Sequence, residues 1–354
     1  MTAPAQDPVT NTIPVPNTNE VPAPLQMLQF VTGFWMSRAV FVLAKLGIPD
    51  QLQSGPRSVE ELAQATETHA PSLYRLLRAL ASNGVVKTEN DGRFALTPLS
   101  ELLVTGVPGS LRWFIISELG QEHFPAWGNL MHSVKTGEIA FDNHFGVDIW
   151  GYFAQNPEDA AVFNDSMSGM TAAVNEAIMS RYDFSPFNKI VDIGGGHGGL
   201  ITSILKQNPQ AEGVLFDAGV VIEGARPRLE AAGVSDRCEA VSGDFFKAVP
   251  AGGNAYVMKW IIHDWEDEKA IAILKNCRTH MQPEGRLIIV DCVVPENDEP
   301  DFSKTFDLNM LVMTGGKERT ATEFEQLLAT AGFKLLRVIP TDLPTSIVEA
   351  QPIL

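Results

Sequence analysis

Positive charge is what this sequence of 354 residues lacks most. Its 26 lysines and arginines stand against 43 aspartates and glutamates, a formal net charge of −17. Binding a phosphate backbone or an anionic lipid surface requires several cations held together, and no basic cluster interrupts the acidic excess. Nucleic acid and membrane surfaces are therefore not expected partners. Cysteine is also scarce: Cys238, Cys277 and Cys292 are widely separated. That spacing suits neither a disulfide framework nor a zinc site, so reduced, buried thiols and no metal are expected. No apolar run reads as long enough to span a bilayer. The N-terminus lacks the basic-then-apolar order of a secretion signal, and a cytoplasmic location is expected.

The length implies two domains or one large one. Residues 1–24 are rich in Pro, Thr and Asn, the composition of a disordered tail. The segment 25–46, LQMLQFVTGFWMSRAVFVLAKL, is apolar around nearly the whole helix circumference. Such a helix has to be buried, either in its own domain or, as expected here, against a second subunit. Ser58 with Glu61 three residues on forms a capping box for a short helix over 59–65. A second helix over 71–83 carries Leu73, Leu76, Leu77 and Leu80 on one face and ends at Gly84. Two short strands flank the turn Asn90-Asp91-Gly92. Together 25–105 read as a winged helix-turn-helix. Because its second helix offers only Arg75 and Arg78, it reads as a dimerisation scaffold rather than a DNA reader. A winged-helix regulator that senses its ligand and binds DNA is the rival from another functional class. Residues 106–184 read as a helical, aromatic-rich connector that forms a domain's core or backs a pocket.

From 185 to 354 strands and helices alternate, the pattern of a doubly wound α/β sheet. Strands are expected over 189–193, 213–216, 238–242, 255–259, 286–291, 334–339 and 346–350. The stretch KIVDIGGGHGGL at 189–200 organises this region: a buried β-branched strand, a run of glycines, then a helix from about Gly199. Glycines let a ligand approach the backbone, and the helix N-terminus favours a negative group. Gly194-x-Gly196-x-x-Gly199 also satisfies the dinucleotide fingerprint, with Asp217 at a ribose-binding distance. Asp192, Asp217 and Asp244 at successive strand ends suit a cationic nucleoside such as S-adenosylmethionine (SAM) better than a pyrophosphate. From the glycines alone NAD and a purely structural turn remain open.

A second constellation follows the strand 255–259. Lys259 and His263 stand at or just past its end, and His263 has the pKa range of a general base. Asp291 is expected at the close of strand GRLIIVD, and Glu318 lies in the loop GGKERT. A base flanked by carboxylates is held in one tautomer, and its protonated form is stabilised. A surface salt bridge for Asp291 and a helix cap for Glu318 are the competing readings.

The combination VDIGGGHGG, LFD, SGDFF, MKWIIHDWEDEKAIAIL and GGKERTATEFEQLL resembles the small-molecule O-methyltransferases of the caffeate and hydroxyindole type, including bacterial antibiotic-tailoring members, over about 25–350. The resemblance implies a Rossmann-like SAM-dependent methyltransferase sheet behind an N-terminal, mostly helical winged-helix dimerisation domain, and a homodimer. It implies that Asp192, Gly194 and Gly196 shape the SAM pocket, that Asp217 takes the ribose hydroxyls, that Asp244 and Phe245 flank the adenine, and that Lys259 faces the methionine carboxylate. His263 would be the catalytic base, supported by Asp291 and Glu318. The acceptor, a small aromatic molecule carrying a phenolic hydroxyl, would draw on Trp127, Met167, Met170, Asn309, Met310 and Met313, with S-adenosylhomocysteine as co-product. Three residues depart from the family pattern: His197 replaces a small hydroxyl residue, Asp291 a longer Glu, and Phe245 a Met. A relative that uses SAM for cyclisation or hydroxylation without methyl transfer is the nearer rival.

Overall fold

The structure is a computed structural model that describes residues 21–107 and 109–353. Most of the expected tail lies outside the described residues, as do the side chains of 168–170, Met170 among them. Contacts divide the chain into two compact units, one of residues 21–134 and 140–173, the other of 135–139 and 174–353.

In the first unit the capping box forms as expected. The Glu61 N–H donates to Ser58 Oγ at 3.2 Å, and the Ser58 N–H donates to Glu61 Oε2 at 2.7 Å, opening the helix Val59–Ala65. The helix Ala70–Ala81 buries Leu73, Leu77 and Leu80. They pack with Leu43, Leu62 and the hairpin residues Val86 and Phe94. Strands β1 (Val86–Thr88) and β2 (Phe94–Leu96) pair antiparallel across the expected turn.

The helix Ala23–Lys45 corrects one expectation. Only its C-terminal end is buried in the chain itself: Phe30 remains 78% exposed and Trp35 62%. The helix is also long and apolar enough, by length and composition, to cross a membrane, contrary to the sequence reading. The polar residues in the run (Gln26, Gln29, Thr32, Ser37, Arg38) masked this. Helices occupy the rest of the unit from Arg112 onward, in keeping with the helical, aromatic reading.

The second unit is built on strands β3 (Lys189–Ile193), β4 (Glu212–Asp217), β5 (Cys238–Ser242), β6 (Ala255–Lys259), β7 (Arg286–Val294), β8 (Arg319–Thr320), β9 (Phe333–Pro340) and β10 (Thr345–Pro352). Their order is β5-β4-β3-β6-β7-β10-β9, with β8 beside the end of β7. Strands β3 to β7 run parallel, whereas β10 pairs antiparallel with both β7 and β9. The sheet is therefore mixed.

Burial on both faces explains the near-continuous apolar strands. Along β6, Tyr256 and Met258 face one core with Ile273, Leu274 and Phe324, and Ala255 and Val257 face the other with Leu200, Ile204 and Ile222. This is the two-residue period of a strand. The chain leaves β3 through β4 and β5 on one side, then returns to place β6 on the other. The ends of β3 and β6 therefore form the switch point at which α/β sheets bind ligands.

Strands β4, β9 and β10 run one or two residues beyond their expected bounds, and β7 and β8 differ more. β7 runs three residues further, because Cys292, Val293 and Val294 continue its apolar run. Asp291 is therefore inside the strand, opposite Ser346, not at its end. The two-residue β8 pairs with Val293 and Val294 and was too short to leave a pattern.

Candidate active site

The glycine loop follows β3 directly. Gly194 sits at φ 65° and Gly196 at φ 58°, left-handed conformations that favour glycine. A Cβ on Gly194 would strike Ile261 at 2.4 Å, whereas one on Gly196 would meet nothing within 4 Å. The loop is closed on one side and open on the other. The Asp217 carboxylate at the end of β4 accepts from the Gly196 N–H at 2.8 Å and from the Ala218 N–H at 2.7 Å. It is thus fixed at the rim of that opening. Phe245 stacks edge-on against Phe246 and Trp265, and its ring lies 3.9 Å from where a Gly194 Cβ would stand. Asp244 is exposed and pairs with Lys247 at 3.2 Å.

Asp192 points inward. It is 1% exposed and accepts from the Ile201 N–H at 3.3 Å. Burial raises its pKa to about 7, against the pull of Lys259 and that N–H. Burial in turn lowers Lys259 to about 8, opposed by Asp192. The Lys259 ammonium lies 4.4 Å over the Trp260 ring. Trp260 itself is held at φ 57°, rare for a bulky residue and common where a functional loop stores strain. It turns the chain out of β6 into the short 3₁₀ helix Ile262–Asp264. The His197 ring lies against the helix Gly219–Ala231, near Gly224.

His263, on that 3₁₀ helix, is buried, and its Nδ1 lies 2.6 Å from Glu318 Oε1. A carboxylate only accepts, so Nδ1 carries the hydrogen and Nε2 is left for proton transfer. The nearest carboxylate to Nε2 is Asp264, at 3.8 Å. Burial alone would lower the His263 pKa. Glu318, Asp291 and Asp264 override it and raise it to about 10. Burial and Glu318 push Asp291 well above the carboxylate range, against His263 and Arg319. Both Asp291 oxygens and Glu318 Oε2 are buried without a hydrogen-bond partner among the described residues. Buried polar atoms in that condition mark strain, stored protons or a reactive site.

The surface salt bridge and helix cap readings for Asp291 and Glu318 are thereby set aside. Thr320 and Glu323 cap the following helix instead. Asn309, Met310 and Met313 are all buried on the helix Phe302–Met313 of the same unit. Trp127 and Met167 belong to the other unit, on the helices His123–Gly128 and Pro157–Arg181.

Three site residues escaped sequence reading: Asp264, Gly316 and Arg319. Asp264 adjoins His263 in the chain and could have been named on that ground. Arg319 is wholly buried, which an arginine seldom is. The described residues contain no cluster of His, Cys, Asp and Glu able to hold a metal ion.

Residues 127–334 match the family described as the O-methyltransferase domain, and 28–106 the O-methyltransferase dimerisation domain. Phenazine O-methyltransferase PhzM of Lysobacter antibioticus is 47% identical over 333 residues, 94% of this chain and 97% of that protein. O-Demethylpuromycin-O-methyltransferase of Streptomyces alboniger is 37% identical, over 93% of this chain and 89% of that protein. 8-Amino-8-demethylriboflavin N,N-dimethyltransferase of Streptomyces davaonensis is 32% identical, over 92% and 94%.

Among solved structures, LaPhzM superposes with a TM-score of 0.90 at 47% identity, covering 94% of this chain and 100% of its own. NcsB1, from neocarzinostatin biosynthesis and solved with SAM and 2-hydroxy-5-methyl naphthoic acid, superposes at 0.79 with 31% identity, over 90% and 96%. The chain belongs to the O-methyltransferase family.

Proposed function

We propose that this enzyme transfers the methyl group of SAM to a phenolic hydroxyl of a small, fused-ring aromatic natural product, with His263 as general base. The observation that carries the reading is the 2.6 Å contact between His263 Nδ1 and Glu318 Oε1, made one turn beyond β6 and hence beside the switch point. The open side of Gly196 fits a ligand that touches backbone, and Asp217 at its rim suits a ribose diol. When bound, SAM supplies an electrophilic methyl on a sulfonium.

The residues of this chain do the rest. Gly194 and Gly196 admit the donor to the backbone, Asp217 holds its ribose, Asp244 and Phe245 bracket the adenine, and Lys259 meets its carboxylate end. Asp192 acts from below, tying the loop to the Ile201 N–H and tempering the charge of Lys259. Asn309, Met310 and Met313 contribute to the acceptor site. His263 Nε2 takes the hydroxyl proton, while Glu318 fixes the ring and balances the imidazolium. An imidazole raised to about 10 matches a phenol near the same value, once it has lost its own proton.

The phenazine relative makes hydroxylated phenazines the first acceptors to test, and the riboflavin relative makes aryl amines the second. Incubation with labelled SAM should yield a methyl ether and S-adenosylhomocysteine in equal amounts. Consumption of acceptor without label transfer would point to cyclisation or hydroxylation instead.

Asp291→Asn removes one anion facing His263, so the imidazole should release its proton at lower pH. The alkaline rise of kcat/KM should move toward acid, and an unmoved pH profile would deny Asp291 that influence.

The same reading takes the chain to be a homodimer, with the uncovered face of Ala23–Lys45 meeting a second copy, as the match to the dimerisation domain supports. Phe30→Glu combined with Phe34→Glu should yield monomers in sedimentation velocity. A double variant that still sediments as a dimer would place the interface elsewhere.

A further inference from the structure

We propose that Arg319 is a positioning residue for the methyl-transfer base: it clamps the turn carrying His263 onto the segment carrying Glu318 and so sets the distance between them. This inference rests on the His263–Glu318 assignment made above. Arg319 opens β8, immediately after Glu318, and is 0% exposed. Its Nη1 donates to the Ile262 carbonyl at 3.1 Å, and its Nη2 donates to the Trp265 carbonyl at 2.8 Å. Those two carbonyls bracket His263 and Asp264. Nε and Nη2 both reach Asp267 Oδ1, at 3.1 and 2.8 Å, and Nη1 adds a longer contact to the Lys317 carbonyl at 3.4 Å.

The turn needs outside support. A three-residue 3₁₀ helix has poor hydrogen-bond geometry of its own, and it follows the left-handed Trp260. Support arrives from one short segment. Gly316 lies so close beneath the turn that a Cβ there would stand 1.9 Å from the His263 carbonyl oxygen. Glu318 sits between Gly316 and Arg319. The segment therefore touches the turn before and after the carboxylate, and the reach of that carboxylate to Nδ1 follows from the two contacts. Only a planar fork with several donors binds both carbonyls and Asp267 at once; the single ammonium of lysine cannot.

A buried arginine that merely stabilises the fold would also lower activity when lost, so the test needs a readout of the imidazole itself. The low-field ¹H NMR signal of the His263 Nδ1 proton reports its bond to Glu318 whether or not the protein turns over, and it is assigned by its loss in His263→Gln. In Arg319→Lys this signal should shift or broaden. Per folded molecule kcat should fall about 10²-fold, the cost of a reacting group misplaced by about 1 Å, with KM for SAM little changed. Asp267→Asn, at an exposed position that touches neither His263 nor Glu318, should move both readouts the same way by less, and it decides the matter if Arg319→Lys does not fold. An unmoved signal with kcat falling only in step with the folded fraction would overturn the proposal. If His263→Ala proved fully active, the base assignment would fail, yet the NMR signal would still report whether Arg319 sets the pair.

Discussion

His263→Ala is expected to lower kcat by about 10²–10⁴-fold, the usual contribution of a general base, while SAM still binds and the protein still melts cooperatively. The retained binding follows from geometry. The proposed donor contacts belong to the loop after β3, to Asp217, to the segment after β5 and to Lys259 at the end of β6, whereas His263 is engaged through Nδ1 by Glu318. Removing the ring also leaves Glu318 and Asp291 without the cation that offsets them. Asp291, whose pKa burial already raises against the pull of His263, should then take up a proton more readily. Calorimetric titration with SAM and a single-turnover rate separate the two effects. Loss of SAM binding would mean that His263 holds the donor rather than the acceptor's proton.

Gly316→Ala is expected to be nearly as damaging by a different route. The added methyl carbon would lie 1.9 Å from the His263 carbonyl, 2.5 Å from the Asp264 carbonyl carbon and 2.7 Å from the Trp265 nitrogen. All three are backbone atoms and cannot swing aside as a side chain can. Either the His263 turn or the 315–318 segment must shift, and both carry one partner of the base pair. Overpacking of this kind costs roughly 1–3 kcal/mol of stability, and a displacement of about 1 Å at the reacting group costs on the order of 10²-fold in rate. Thermal unfolding and kcat should therefore fall together. Gly196→Ala makes the contrast: the added carbon meets no protein atom within 4 Å, so apart from the strain of its φ of 58° its cost should fall on binding of the donor proposed to lie there. Equal activity of Gly316→Ala and the parent enzyme would contradict the close approach of these segments.

The parallel sheet was largely legible because strands buried on both faces read as apolar runs. β3, β5 and β6 begin and end where expected, β3 and β6 around the buried apolar runs Ile190-Val191 and 255–258. β7 overran its expected end because its apolar run continues past Asp291. What pattern could not supply was long-range geometry. His263 and Glu318 are 55 residues apart, and nothing local measures their separation. Arg319 was passed over because arginine is ordinarily a surface residue, and its burial is visible only once Ile262, Trp265 and Asp267 are in place around it. The apolar circumference of the first helix implied cover, and within one chain Phe30, Phe34 and Trp35 have little.

The central claim is that His263 strips the acceptor's proton, and the single-turnover rate of methyl transfer against pH tests it most directly, in the parent enzyme and in His263→Gln preloaded with SAM. The acceptor's own ionisation is common to both proteins and cancels in the comparison. The parent rate should rise with pH toward about 10, as the imidazole sheds the proton that its carboxylates hold. The variant should be slower and lack that dependence. Matching rates and matching pH profiles in the two proteins would contradict the account.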